Sequence, residues 1–106
     1  MAAGHAAALA IEREDQPPHG CVVVARGQID LGSSRRLSEA LLRAIDDGLT
    51  NVVVDLKDVN FIDSTGLGVI IGVGKRLRRV GGSLTVLSSD ETIRKVFELA
   101  GVQPSG

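Results

Sequence analysis

The chain has 106 residues, 43% of them apolar, with 12 basic and 13 acidic side chains spread along it for a net charge of −1. That length supports one domain with one modest core and excludes a second. The lack of a basic stripe, with two Phe and no Tyr or Trp, argues against nucleic acid held by phosphate neutralisation or base stacking.

Residues 1–7 read as a flexible start without the basic and long apolar regions of a secretory signal. Ala8–Glu12 is a short strand, followed by the turn Gln16-Pro17-Pro18-His19-Gly20. Cys21–Ala25 is a continuous apolar run, the pattern of a strand covered on both faces. The lone Cys21 reads as a small core residue, since it has no disulfide partner. Gly27–Ser34 is a loop, and Ser33 or Ser34 caps a helix whose Leu37, Ala40, Leu41, Ala44 and Ile45 form one apolar stripe ending at Gly48. Val52–Leu56 is a second buried strand, and the segment after Asp63 is a helix to about Val80. Gly81-Gly82 stops it before a third buried strand, Ser83–Leu87. Ser89 or Asp90 caps a last helix with Ile93, Val96, Phe97 and Ala100 on one face, ending at Gly101.

Strands alternating with helices require right-handed crossovers and a largely parallel sheet, with the first strand antiparallel at an edge. The expectation is a single α/β domain over residues 8–102: a mostly parallel, mixed, four-stranded sheet with flanking helices, and a tail at 103–106. No apolar stretch approaches the roughly 20 residues of a membrane span, so a cytoplasmic setting without membrane contact is expected.

The second helix carries an unusual glycine pattern. Wound at about 100° per residue, its Val69, Val80, Val73, Leu77, Ile70, Leu67 and Ile71 share one wide apolar arc. Gly68 and Gly72 fall on the other side, with Lys75, Arg76 and Arg79, and Ser64 opens that stripe. A helix-interior glycine costs roughly 0.5–1 kcal/mol against alanine. Close approach of a partner's backbone is one reason to accept that, and packing against a loop of the same domain is the other.

Asp63-Ser64-Thr65-Gly66 sets two hydroxyls where a strand gives way to a helix, a place suited to helix capping or to phosphate. Nucleotide motifs fail nearby. A P-loop ending at Gly74-Lys75 would need Gly where Val69 stands, and a dinucleotide fingerprint from Gly66 would need Gly where Ile71 stands. A nucleophilic serine needs a positioned base, yet the two histidines, His5 and His19, lie in the loose start and in the Pro-Pro turn. No metal-ligand cluster is present in the sequence, so neither cofactor nor catalysis by this chain is expected.

Val52–Leu56 followed by Val59-Asn60-Phe61-Ile62-Asp63-Ser64-Thr65-Gly66-Leu67-Gly68-Val69-Ile70-Ile71 closely resembles the STAS domains of bacterial anti-sigma factor antagonists. Gly27-Gln28-Ile29-Asp30, Gly81-Gly82-Ser83-Leu84 and Val96–Val102 extend the resemblance over residues 8–102. It implies an α/β sheet flanked by helices, and a serine that an anti-sigma factor phosphorylates with ATP. That serine matches Ser64, with Thr65 as runner-up, and Asp30 would contact the kinase from the neighbouring loop. The expected partner surface comprises Gln28, Asp30, Asp63, Ser64, Thr65, Gly68, Gly72 and Lys75, with a serine phosphatase as a further partner. Gln28 stands where the family often has an acidic residue, and the sequence stops at Gln103-Pro104-Ser105-Gly106 where family members usually continue. The other expectation is a STAS module of a transporter-regulating or other signalling complex, with Asp63-Ser64-Thr65-Gly66 serving as a cap or phosphate-sensing loop.

Overall fold

The computed structural model describes residues 8–105, so the expected flexible start at 1–7 lies outside the described residues. The elements are β1 (Ala10–Gln16), β2 (Gly20–Ile29), α1 (Ser34–Asp46), β3 (Asn51–Ile62), α2 (Ser64–Arg79), β4 (Ser83–Leu87), α3 (Glu91–Leu99) and β5 (Gln103–Ser105). The sheet order is β1-β2-β3-β4-β5. β1 pairs antiparallel with β2 and every later pair is parallel, as the alternation of strands and helices requires.

The strand order decides which face is covered. Each crossover, β2 to β3, β3 to β4 and β4 to β5, steps to the next neighbour in the same direction. Right-handed connections that all step one way put all their helices on one face. The burial pattern agrees: Cys21, Val23, Ala25, Val52, Val54, Leu56, Leu84 and Val86 are buried, while the alternate Val22, Val24, Val53, Asp55, Thr85 and Leu87 are half-buried. The expectation of strands covered on both faces is thereby corrected. Valines on both sides of a central strand do not separate two-sided cover from a tight apolar sheet with one open face.

A fifth strand extends the expected four. Gln103–Ser105 pairs with Thr85–Leu87 at the sheet edge, where a tail was expected. Pro104 hides the signal, yet proline is tolerated on an edge strand. β2 and β3 also outrun their expected ends, taking in Gly27–Ile29 and Lys57–Ile62. Their register shifts between Val24 and Arg26 and again between Gly27 and Gln28, and such bulges break the two-residue alternation that marks a strand in sequence.

α1 starts at Ser34 with Ser33 in the N-cap position, but the Ser33 side chain makes no cap bond, contrary to expectation. α3 is capped by Asp90, whose carboxylate accepts from the N–H groups of Thr92 and Ile93 at 2.8 and 3.2 Å. Phe97 is fully buried.

α2 meets the sheet through two glycines. A Cβ on Gly66 would stand 2.5 Å from Ile29 Cγ2 and 2.9 Å from Ile62 Cγ1, and one on Gly74 would stand 3.2 Å from Val102 Cγ2. The buried face is Gly66, Ile70, Val73, Gly74 and Leu77, narrower than the expected arc, and Val80 is 59% exposed.

Candidate functional site

β2 and β3 end together. The Asp63 N–H donates to the Ile29 carbonyl at 3.1 Å, tying the start of α2 to the last residue of β2. The chain leaving β2 and the chain entering α2 therefore share one rim, at the carboxyl ends of parallel strands, where open α/β sheets expose their working loops.

On the β2 side, Asp30 organises a tight turn. Its Oδ1 accepts from the N–H groups of Gly32 and Ser33, each at 3.0 Å. Its carbonyl accepts from Ser33 N–H at 3.1 Å and Ser34 N–H at 2.8 Å, which launches α1. The Ser33 hydroxyl accepts the Asp30 N–H at 3.0 Å and lies 2.9 Å from the Gln28 carbonyl and 3.0 Å from Asp30 Oδ1. Ser33 thus stitches the turn instead of capping the helix. Leu31, at the tip, is 77% exposed.

On the α2 side, the Asp63 carboxylate accepts from Gly66 N–H at 3.0 Å. This is an N-cap bond, worth about 1 kcal/mol, and it confirms the capping reading for Asp63. Ser64 and Thr65 are the first two helical residues, and both are exposed. Neither hydroxyl has a hydrogen-bond partner among the described residues, so both face solvent with the positive end of the helix beneath them.

Of the sequence-predicted residues, Gln28, Asp30, Asp63, Ser64 and Thr65 meet at this rim. Gly68, Gly72 and Lys75 continue along the outward side of α2 and are exposed. Among the described residues a Cβ on Gly68 or Gly72 would meet nothing within 4 Å, so neither glycine is explained by packing against them. Sequence reasoning weighed those glycines and missed Gly66, the one that seats the first turn of the helix on the sheet. The signal was the missing side chain at a position where the wheel turns towards the sheet.

His19, the histidine among the described residues, is not placed beside Ser64. The His19 carbonyl accepts from the N–H groups of Thr50 and Asn51, at 2.9 and 3.0 Å, which sets His19 at the start of β3, whereas Ser64 follows its end. An 11-step strand rises about 36 Å. No cluster of three or more His, Cys, Asp or Glu suited to a metal occurs among the described residues. No helix among them is long and apolar enough to cross a membrane.

Comparison with known proteins places this geometry. The family model described as STAS domain matches residues 10–105. The chain is 36% identical over 77 residues to the anti-sigma-B factor antagonist of Bacillus subtilis, covering 73% of this chain and 70% of that one. It is 32% identical to the anti-sigma-B factor antagonist of Staphylococcus aureus, over 73% of this chain and 71% of the relative. Among solved structures, the anti-sigma factor antagonist SpoIIAA in its unphosphorylated form superposes with a TM-score of 0.79 at 23% identity, covering 92% of this chain and 88% of that one. An anti-sigma factor antagonist from Mycobacterium paratuberculosis gives 0.75 at 26% identity, over 89% and 79%.

Proposed function

The chain belongs to the STAS domain family, and from that premise we propose that it is an anti-sigma factor antagonist, a binding protein and not an enzyme, switched by phosphorylation of Ser64. The observation that carries the reading is the exposed Ser64 hydroxyl at the first position of α2, between the Asp63 cap and the Asp30 turn. Unmodified, the rim and the outward side of α2 bind an anti-sigma factor in the cytoplasm and release the sigma factor it holds. That partner is also the kinase, transferring the γ-phosphoryl group of ATP to the Ser64 oxygen with ADP leaving and the hydroxyl proton lost. A serine phosphatase reverses the step by hydrolysis.

The physical effect falls on the interface. A phosphate adds about −1.5 to −2 charge at pH 7, and a helix N-terminus accommodates it, so the fold persists. Beside Asp30 and Asp63 it makes the rim strongly anionic. Burying such a charge unpaired costs roughly 2–5 kcal/mol, or about 30- to 5000-fold in affinity. Incubation with anti-sigma factors and ATP, followed by mass mapping, tests the assignment: one phosphate on Ser64 is expected. Modification at Thr65 or elsewhere, or none, would overturn it.

A further inference from the structure

The second half of α2 carries a charge pattern that the rim does not use. Ser64–Arg79 holds four cations, Lys75, Arg76, Arg78 and Arg79, and no carboxylate, in a chain whose net charge is −1. Arg78 serves the fold, its Nη1 donating to the Gly101 carbonyl at 3.3 Å. Arg13, Arg26, Lys57 and Lys95 each pair with a carboxylate, Arg36 donates to the Leu9 carbonyl, and Arg35, Arg43 and Arg94, also in no ion pair among the described residues, lie on helices that carry carboxylates of their own. Lys75, Arg76 and Arg79 are exposed, and among the described residues none of them pairs with one.

Helix chemistry does not account for all of this. Cations in the last turn suit the negative end of the helix, but that benefit fades within one turn, and Lys75 precedes the last turn. Lys75 and Arg79 are also four residues apart, where like charges on a helix repel. Nor do they serve a phosphate on Ser64 of the same molecule. At 1.5 Å per residue they lie about 16 and 22 Å along the axis from it, two Debye lengths or more at about 8 Å in physiological salt.

We propose that Lys75, Arg76 and Arg79 form a docking surface for a carboxylate-rich patch on the anti-sigma factor. This deepens the function proposed above and rests on it. The outward side of α2 runs from Asp63 and Ser64 at one end to these cations at the other. An acidic patch on the partner is attracted to one end and repelled from the other, so charge fixes the direction in which the partner lies and brings its active site to Ser64.

Association kinetics of the full chain with the anti-sigma factor that phosphorylates it, across about 50 to 500 mM salt, test this. The wild-type on-rate is expected to fall steeply with salt. A Lys75→Gln/Arg79→Gln variant is expected to associate about tenfold more slowly at low salt, with its off-rate within about twofold and the difference gone at high salt. A Lys75→Arg/Arg79→Lys variant is expected to restore the wild-type rate, with equal melting temperatures throughout. Equal on-rates for wild type and the Gln variant would overturn the docking surface and leave the Ser64 switch standing. Failure of the anti-sigma factor to bind or phosphorylate the wild type would overturn both. Salt-dependent capture of the wild type by phosphatidylglycerol vesicles or duplex DNA, with no effect of the Gln variant at the anti-sigma factor, would overturn the choice of partner.

Discussion

The Cγ2 of Ile29 stands where a side chain on Gly66 would go, 2.5 Å from the position of its Cβ. That contact seats the first turn of α2 on the sheet and so sets the height of Ser64 above the rim. Gly66→Ala should lose about 1–3 kcal/mol, the usual range for overpacking. Gly68→Ala meets nothing within 4 Å and should gain about 0.5–1 kcal/mol from helix propensity. Urea unfolding of the two variants checks the contrast, and equal effects would remove Gly66 as the seat of the helix.

Ser64→Ala and Ser64→Asp should separate binding from its control. Both are exposed substitutions at the first helical position and should keep the wild-type melting temperature. The Ala variant should bind the anti-sigma factor and take no phosphate, while the Asp variant should bind at least about 30-fold more weakly. Isothermal titration measures both, and equal affinities would sink the switch.

Gly72→Leu probes the outward side of α2 without touching the core. Nothing lies within 4 Å of the added Cβ, so the melting temperature should not fall and should rise by about 2–8 °C from helix propensity. A bulky side chain on a face that a partner approaches closely should weaken binding about tenfold or more, through overpacking of the interface. Normal affinity would show that the partner does not use this side.

Cys21 is 1% exposed, and burial pushes its thiol above the ordinary value of 9.0. The thiolate is the reactive form, so a disulfide reagent at pH 8 should modify the native protein only as fast as it opens. The sign of the pH effect follows: the folded state keeps the proton that the unfolded chain releases. This contribution is complete below the unfolded thiol's pKa and is lost as pH rises through the folded value. Urea midpoints above pH 9 should therefore fall more for the wild type than for Cys21→Ala, and parallel falls would contradict this.

The helices and β4 were legible because local signals agree with the fold, while β1, expected at Ala8–Glu12, runs from Ala10 to Gln16. Gly81 ends α2 with φ +77, Asp63 and Asp90 cap as their side chains allow, and Ser83–Leu87 is a strand between its expected ends. The nearness of Gln28 and Asp30 to Ser64 was legible only through the family resemblance, since a backbone bond between Ile29 and Asp63 leaves no mark in either segment. The lower halves of the two long strands were hidden by bulges, and β5 by Pro104. The one-sided placing of the helices was hidden by Val22, Val24 and Val53, which look like core residues and sit half-buried on the face that no described helix covers.

The sequential order of the sheet also bears on how the chain reaches its fold. Every strand pairs only with its neighbours in sequence, so no loop longer than one crossover has to close before a contact forms. Each closure is still a crossover long, since Gly20 pairs with Asn51 and Asn51 with Ser83, so the parallel pairs form more slowly than the β1-β2 hairpin. The two segments that meet at Ile29 and Asp63 are joined through a single helix, so the rim is complete once β2, α1, β3 and the first turn of α2 have come together. The rim therefore draws on nothing beyond the first turn of α2, and the last strand, β5, at the far edge of the sheet, takes no part in shaping it.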